Sequence, residues 1–319
     1  MKGVLTAALL LLAGVASGQD RVRMAAHEQR LAVLLERVAT ASTDNERYLA
    51  SEEAVDALRD ALDEAGSIKW RWTLPRSASV LTSPDGRLRV FTWAVVRDNG
   101  EFECFGAVQY YNERTETFEH EVLHDKSEEI MNREESLLSA SNWLGAIYQD
   151  LIQTTAGDRT YYTLLGWNGV DNLTDRRIIE PVIMRGGVPQ FGAPVFRRER
   201  NLRRVVLEYR GDAAVQMAWE EQTVEEVPRE RVKEKGRYRT VEHRKERKER
   251  VIIFDEVEPQ IEGMEGLFQY YVPSGVELGY AWVDGKWELR HGTQGRLKVK
   301  VNVNVNFKKA PPSYEMKKP

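Results

Sequence analysis

Two stretches of helical hydrophobic spacing lie near the start of the chain. Over residues 21–66, apolar side chains recur every three to four positions, as on one face of an α-helix. Thr43 and Glu46 have the spacing of a capping box, which predicts the start of a second helix, and Gly66 predicts its end. We therefore predict a helical hairpin over residues 19–66. Its apolar faces either pack on the same domain, which we favour, or bind a partner. The stripes are Leu31, Leu34, Leu35 and Val38, then Ala54, Val55, Leu58, Ala61, Leu62 and Ala65.

From residue 68 the pattern changes to the alternation of β-strands. Residues 88–93 alternate between two faces after the turn Ser83-Pro84-Asp85-Gly86, and Asp98-Asn99-Gly100 predicts the next hairpin turn. Short strands joined by glycine-containing turns predict antiparallel pairing, so the fold class is α+β, mainly β. A sandwich, a barrel and a propeller-like meander all remain open. Further strands are predicted at 102–111, 143–152, 161–167, 177–184, 188–196, 205–209, 215–219, 251–254, 280–283 and 287–289.

Two segments differ from this β domain, which we place at residues 67–307. Residues 225–250 are dense in Lys, Arg and Glu, which predicts either an exposed hairpin extension or a flexible loop. Residues 297–307 alternate Val, Leu or Phe with Lys or Asn, which predicts a half-buried strand. Residues 308–319 form a basic tail, which we expect to be a solvated chain end.

The first 18 residues have the layout of a secretory signal peptide. A positive start, Met1-Lys2, precedes an apolar run over residues 3–15, and the small residues Ala16-Ser17-Gly18 follow. We predict cleavage before Gln19 and a secreted or periplasmic protein that is not an integral membrane protein. An uncleaved anchor is the alternative.

Composition excludes several classes of function. The chain has 46 Lys and Arg against 50 Asp and Glu, a net charge of −4, so no nucleic-acid partner is predicted. The lone Cys104 excludes an intramolecular disulfide and any multi-cysteine metal site. Because it lies between Phe102 and Phe105, we expect it to be a core residue rather than a reactive thiol.

One short motif carries chemistry. His120-Glu121-Val122-Leu123-His124 has the zincin pattern, in which two histidines one helical turn apart bind zinc and the glutamate activates water. The alternation of Phe118, His120, Val122 and His124 favours a strand instead, and on a strand Glu121 would face away from both histidines. A third ligand would have to come from a downstream acid: Glu128, Glu129, Glu134 or Glu135.

No other catalytic pattern is present. The sequence has no nucleophile elbow and no phosphate-binding loop. Its eight Trp are compatible with a sugar-binding platform, although Trp93, Trp167, Trp219 and Trp282 lie in apolar strands, where we expect core roles. We predict no catalytic residue, no cofactor and no metal ligand.

Several motifs in sequence resemble a family of secreted Bacteroidetes proteins. The resemblance covers residues 30–289 and implies export and a mostly β fold, but no reaction. The charged segment 225–250 and the strand 297–307 depart from the family pattern. The motifs are LTSPDGRLRVF (81–91), WLGAIY (143–148), YYTLLGWNG (161–169), FGAPVF (191–196) and VLEY (206–209).

These observations favour a non-catalytic role. We predict a secreted or periplasmic protein that binds a partner in the cell envelope or has a structural role there. Envelope polysaccharide and envelope protein are the partner classes that we expect. The alternative is a zinc-dependent peptidase or hydrolase that uses His120, Glu121 and His124.

Overall fold

The structure is a computed structural model that describes residues 2–64, 66–197, 201–226, 229–234, 237–242 and 245–291, with side chains described outside 2–18 and 224–247. Within these ranges, two N-terminal helices precede three larger antiparallel sheets and one separate two-stranded hairpin. The predicted class, mainly β with a helical start, is confirmed. The predicted strand 297–307 and the tail 308–319 lie outside the described residues.

The two helices form the predicted hairpin. They are α1 (Lys2–Thr40) and α2 (Asp44–Leu62). The capping box is present, since Thr43 Oγ1 accepts from Glu46 N at 3.3 Å and Thr43 N donates to Glu46 Oε2 at 3.2 Å. The prediction that Gly66 ends α2 is wrong by several residues. Asp63 caps the helix, and Gly66, at φ 87°, instead starts a short 3₁₀ turn.

The first sheet is a meander in the order β1-β2-β3-β4. Its turns are those that the sequence predicts. Gly86 at φ 69° and Gly100 at φ 87° occupy the left-handed conformation that glycine adopts without a steric cost. The strands are β1 (Ala78–Thr82), β2 (Leu88–Val96), β3 (Phe102–Asn112) and β4 (Thr117–His124).

The second sheet follows in the order β5-β6-β7-β8, with β9 also paired to β7. The predicted hairpins across Gly157 and across Gly186-Gly187 both form. The strands are β5 (Ile147–Ala156), β6 (Arg159–Asn168), β7 (Thr174–Arg185), β8 (Val188–Phe191) and β9 (Val205–Arg210).

The third sheet has the order β10-β13-β14-β15 and is built from longer strands than the sequence predicts. Within the charged segment 225–250, β11 pairs with β12, so the described backbone there is a hairpin extension and not a loop. The strands are β10 (Met217–Glu226), β11 (Arg229–Glu234), β12 (Arg237–Glu242), β13 (Lys245–Pro259), β14 (Tyr271–Val283) and β15 (Lys286–His291).

The helical hairpin and the three larger sheets are stacked as four layers. Leu31, Leu35 and Leu58 of the helices share a core with Phe91 and Trp93 of β2, so the helical stripe packs on its own domain. A second core lies between the first and second sheets, and a third between the second and third sheets. Of the three architectures that the sequence left open, the observed one is a stack of sheets.

This stacking explains the burial of β2. Because helices cover one face of the first sheet and the second sheet covers the other, Leu88 to Val95 are all buried. Trp93 Nε1 donates to Ser51 Oγ of α2 at 2.8 Å, which satisfies the indole inside the helix–sheet interface. Among the helices in the described part of the chain, none is long and apolar enough to cross a membrane.

Candidate functional site

The His120-Glu121-Val122-Leu123-His124 motif lies on β4, as the strand interpretation predicts. Its histidines face the helices, where His120 Nε2 lies 3.8 Å from Asp63 Oδ1. Glu121 points to the opposite face and accepts from Tyr110 Oη at 3.3 Å. The two histidines are four positions apart on a strand, which places their Cα atoms about 13 Å apart. This distance is too long for both imidazoles to bind one ion.

The other residues of a zinc site are also dispersed. Glu129 pairs with Lys126 at 2.7 Å, and Glu134 Oε1 accepts from Val206 N at 3.1 Å. No group of three or more His, Cys, Asp or Glu side chains suited to a metal ion occurs among the described residues. Glu121 itself is half-buried. The second sheet packs over this face of β4.

The tryptophans and the cysteine belong to the core. Trp93 is buried, and Trp167, Trp219 and Trp282 are half-buried. Trp282 and Trp219 both pack edge-on against Trp287, so these rings contact one another and do not form a flat exposed platform. Cys104 is 2% exposed, and burial raises the pKa of its thiol well above the ordinary value.

Among the described grooves, a cleft of about 500 Å³ between the first and second sheets brings together the most polar groups. We call it the interlayer cleft. It is lined by the β2–β3 turn, by residues 125–129 after β4, by the β6–β7 loop, and by side chains of β7 and β9. Its volume is in the range of small-molecule sites, about 300–1,000 Å³. The two other described grooves lie on the helical hairpin and beside Met131.

Arg176 of β7 lies at the base of the cleft and is only 3% exposed. β7 places it on the face that carries Ile178 and faces the first sheet. Arg176 Nε donates to Glu208 Oε2 at 2.7 Å. Its Nη1, however, is buried and has no hydrogen-bond partner among the described residues. A buried donor left unsatisfied costs about 1–3 kcal/mol.

A second guanidinium shares the same carboxylate. Arg133 Nη1 lies 3.7 Å from Glu208 Oε2, the same oxygen that accepts from Arg176. Burial and the positive charge of Arg176 lower the pKa of Arg133, and Glu208 acts in the opposite direction. Two cations therefore flank the Glu208 carboxylate, Arg176 from the cleft and Arg133 from the neighbouring groove beside Met131, so the balance around Glu208 is positive.

Asp125 shapes one wall of the cleft. Its Oδ2 accepts from Cys104 N at 2.9 Å, and its Oδ1 accepts from Ser127 N at 2.9 Å and Ser127 Oγ at 2.5 Å. Gly145 lies so close that a Cβ there would collide with this carboxylate. Asn168 Nδ2 donates to Gly145 O at 2.7 Å. The wall is therefore fixed by hydrogen bonds across the two sheets.

The opposite wall is tied to the helices. Arg97 donates to Glu101 at 3.0 Å, to Glu103 at 3.2 Å and to Tyr48 Oη at 2.7 Å. The Tyr48 hydroxyl also donates to Glu103. Burial, and then the Glu103 carboxylate, raise the pKa of Tyr48 to about 12. This network joins α2 to the β2–β3 turn and so positions the rim.

The rim of the cleft is acidic. Seven carboxylates and three cations line the cleft as a whole. Glu101, Glu128 and Glu129 are exposed at the mouth, whereas Arg176 and Glu208 are at the base. None of the lining side chains is a histidine or a cysteine. The arrangement offers hydrogen bonds and charge complementarity to a ligand.

Sequence reasoning did not find this cleft. The interpretation of residues 177–184 as an apolar strand left Arg176 just outside the strand, which in fact begins at Thr174. The signal in the sequence is the pair Arg176-Arg177 beside a buried strand. Consecutive strand residues point to opposite faces, so when both faces of the sheet are covered, each of these arginines points towards a covering layer.

The fold and the cleft together define a layered α+β protein with a polar ligand-sized groove between two sheets. Comparison with protein-family models, curated proteins and solved structures finds no match for this chain. The resemblance to secreted Bacteroidetes proteins therefore stays a prediction from short motifs.

Proposed function

We propose that this chain is an exported, non-catalytic binding protein of the cell envelope, periplasmic or secreted, and that it binds a small polar ligand in the interlayer cleft. The observation that carries the proposal is Arg176, a cation 3% exposed at the base of a 500 Å³ groove, with an unsatisfied Nη1. A ligand oxygen that accepts from Nη1 would remove this deficit.

The cleft is better suited to binding than to hydrolysis. Its lining acids are held by donors that fix them in place, as Arg97 holds Glu101 and as backbone amides hold Asp171. The zinc alternative has weaker support, because the strand geometry of β4 separates His120 from His124 and turns Glu121 away from both.

The leader-like residues 1–18 support export, and cleavage before Gln19 would leave residues 19–40 of α1 to pack on α2. To test export, the full chain is expressed in a Gram-negative host and the envelope fraction is analysed by intact mass. We expect a product that begins within a few residues of Gln19. Leu10→Arg, which charges the centre of the apolar run, should block export. Envelope protein that retains residues 1–16 would contradict cleavage.

Binding is tested by saturation-transfer NMR on the purified exported protein with separate mixtures of monosaccharides, amino acids and dipeptides. We expect at least one class to give a signal that Arg176→Gln removes. The control is Arg185→Gln, an exposed arginine at the far end of the same strand. If no class binds, or if Arg176→Gln binds as the unmodified protein does, the cleft is not the binding site.

A further inference from the structure

We propose that the ligand of the interlayer cleft is a small zwitterion of the amino-acid or short-peptide class, held by its carboxylate at the base and by its ammonium group at the rim. This inference rests on the proposed binding function and names the ligand class. It follows from the charges of the cleft and from their different depths.

The base of the cleft selects an anionic oxygen. Arg176 and Arg133 share the single carboxylate of Glu208, at 2.7 Å and 3.7 Å. One positive charge is therefore in excess around Glu208, which Arg176 approaches from the cleft and Arg133 from the neighbouring groove. Arg176 Nη1 has no acceptor in the described part of the chain, and a guanidinium is the side chain best suited to bind a carboxylate.

The rim selects a cation. Glu101, Glu128 and Glu129 are exposed around the mouth. Arg97 pairs with Glu101 at 3.0 Å, and Lys126 pairs with Glu129 at 2.7 Å. The carboxylates of the rim and walls therefore outnumber the cations there. An ammonium group placed there gains from this excess. A dianion such as phosphate would have to pass the same carboxylates, which disfavours it.

A neutral sugar uses neither feature fully. Its hydroxyls would accept from Arg176 Nη1, but they would leave the excess positive charge at the base and the excess negative charge at the rim without counter-charges. A zwitterion compensates both at once. A dipeptide separates its two charges by several bonds and so reaches from the buried base towards the rim.

The experiment is isothermal titration calorimetry of the full exported chain with L-alanyl-L-alanine. Two analogues are matched to it: the N-acetyl form, which lacks the ammonium group, and the C-terminal amide, which lacks the carboxylate. We expect each analogue to bind at least tenfold more weakly than the dipeptide. Equal binding of the dipeptide and either analogue would overturn the inference.

Variants test which end of the dipeptide lies at the base of the cleft and which lies at the rim. Arg176→Gln should weaken the dipeptide at least tenfold, whereas Arg185→Gln on the exposed end of β7 should leave its affinity unchanged. Glu128→Gln should weaken the dipeptide about threefold, corresponding to about 0.6 kcal/mol. It should leave the N-acetyl form unchanged. Since Glu128 is exposed, this variant keeps the fold, and it tests the rim even if Arg176→Gln lowers stability.

The outcomes separate the inference from the function on which it rests. If N-acetylglucosamine or another neutral sugar binds in an Arg176-dependent way and dipeptides do not, the binding function stands and the zwitterion is wrong. If inorganic phosphate binds more tightly than the dipeptide, the role assigned to the acidic rim is wrong. If no probe binds in the NMR or calorimetric experiments, both proposals fail.

Discussion

A fully buried ion pair joins β7 of the second sheet to the residue that precedes β9. Arg204 Nε donates to Glu180 Oε1 at 2.6 Å, and both side chains are 0% exposed. Tyr148 Oη donates to the other carboxylate oxygen at 2.6 Å. The remaining donors of Arg204 reach backbone carbonyls, among them Ser136 O at 2.8 Å and Phe191 O at 3.0 Å. Every charge in this pair is compensated within the protein.

Replacement of Arg204 by Met keeps most of the volume and removes the cation. Glu180 would then remain buried with Tyr148 as its donor, and at least two carbonyls would lose their partners. Loss of one member of a buried pair costs about 3–5 kcal/mol. For a chain of this size we expect the melting temperature to fall by about 5–8 °C. Tyr148→Phe removes two buried hydrogen bonds, one to Glu180 and one from Trp143 Nε1, and should cost about 2–3 kcal/mol.

The assay is thermal unfolding followed by circular dichroism, with urea unfolding as a second measure. The matched control is Arg37→Met, because Arg37 pairs with Glu53 at 3.0 Å while both side chains are about half exposed. Exposed pairs contribute about 0–1 kcal/mol, so this variant should melt within a degree or two of the unmodified protein. If Arg204→Met were no more costly than Arg37→Met, the buried pair would not hold the sheet together.

Three further predictions follow from local geometry. Burial raises the pKa of five tyrosines above the unfolded value of about 10, so their contribution to the free energy of unfolding should be fully present below pH 10 and decrease as pH rises through 12; absorbance at 295 nm should show a group of tyrosines that ionises later in the folded protein than after urea unfolding. Gly145→Ala should cost about 1–3 kcal/mol in urea unfolding, because its Cβ meets Asp125; an unchanged midpoint would contradict this. The purified protein should carry no stoichiometric zinc by elemental analysis, whereas one zinc per chain, lost on His120→Ala, would restore the hydrolase alternative. The five tyrosines are Tyr48, Tyr110, Tyr148, Tyr162 and Tyr209.

The sequence predicts the local elements well because their signals are local. The Thr43–Glu46 box starts α2, and the glycines at 86 and 100 form turns where the chain needs a left-handed residue. The alternation of His120 and His124 with Glu121 predicts β4 against a motif that favours a helix. Each of these signals depends on a few neighbouring residues and on backbone geometry alone.

The stacking order is not a local property. The alternation in β2 cannot show that both of its faces are covered, so it does not mark Arg89 as a buried residue. In the structure, Arg89 is 5% exposed and donates to Ser67 O at 3.0 Å. Burial among neutral carbonyls lowers its pKa to about 10. Such an arginine is recognised only once the covering layer is known.

The same reason hides the candidate site. Arg176 and Glu180 occupy one face of β7, and their partners Glu208 and Arg204 come from β9 or the residue before it, about 25–30 residues later in the chain. In a chain with 30% charged residues, many opposite charges lie this far apart in the sequence, so the sequence does not show which of them pair. The pairing of β9 with the start of β7 brings them together.

The buried pair and the cleft are connected through one segment. Residues 125–146 supply Asp125 and Ser127 to the cleft, and Arg204 binds this segment at Arg133 O and Ser136 O. Arg204→Met should therefore release the wall of the cleft and weaken dipeptide binding even at temperatures where the variant is folded. Arg37→Met removes only an exposed pair with Glu53 on the helical hairpin and should leave affinity unchanged. Calorimetry at 15 °C measures both, and equal affinities for the two variants would show that the segment keeps its place without Arg204.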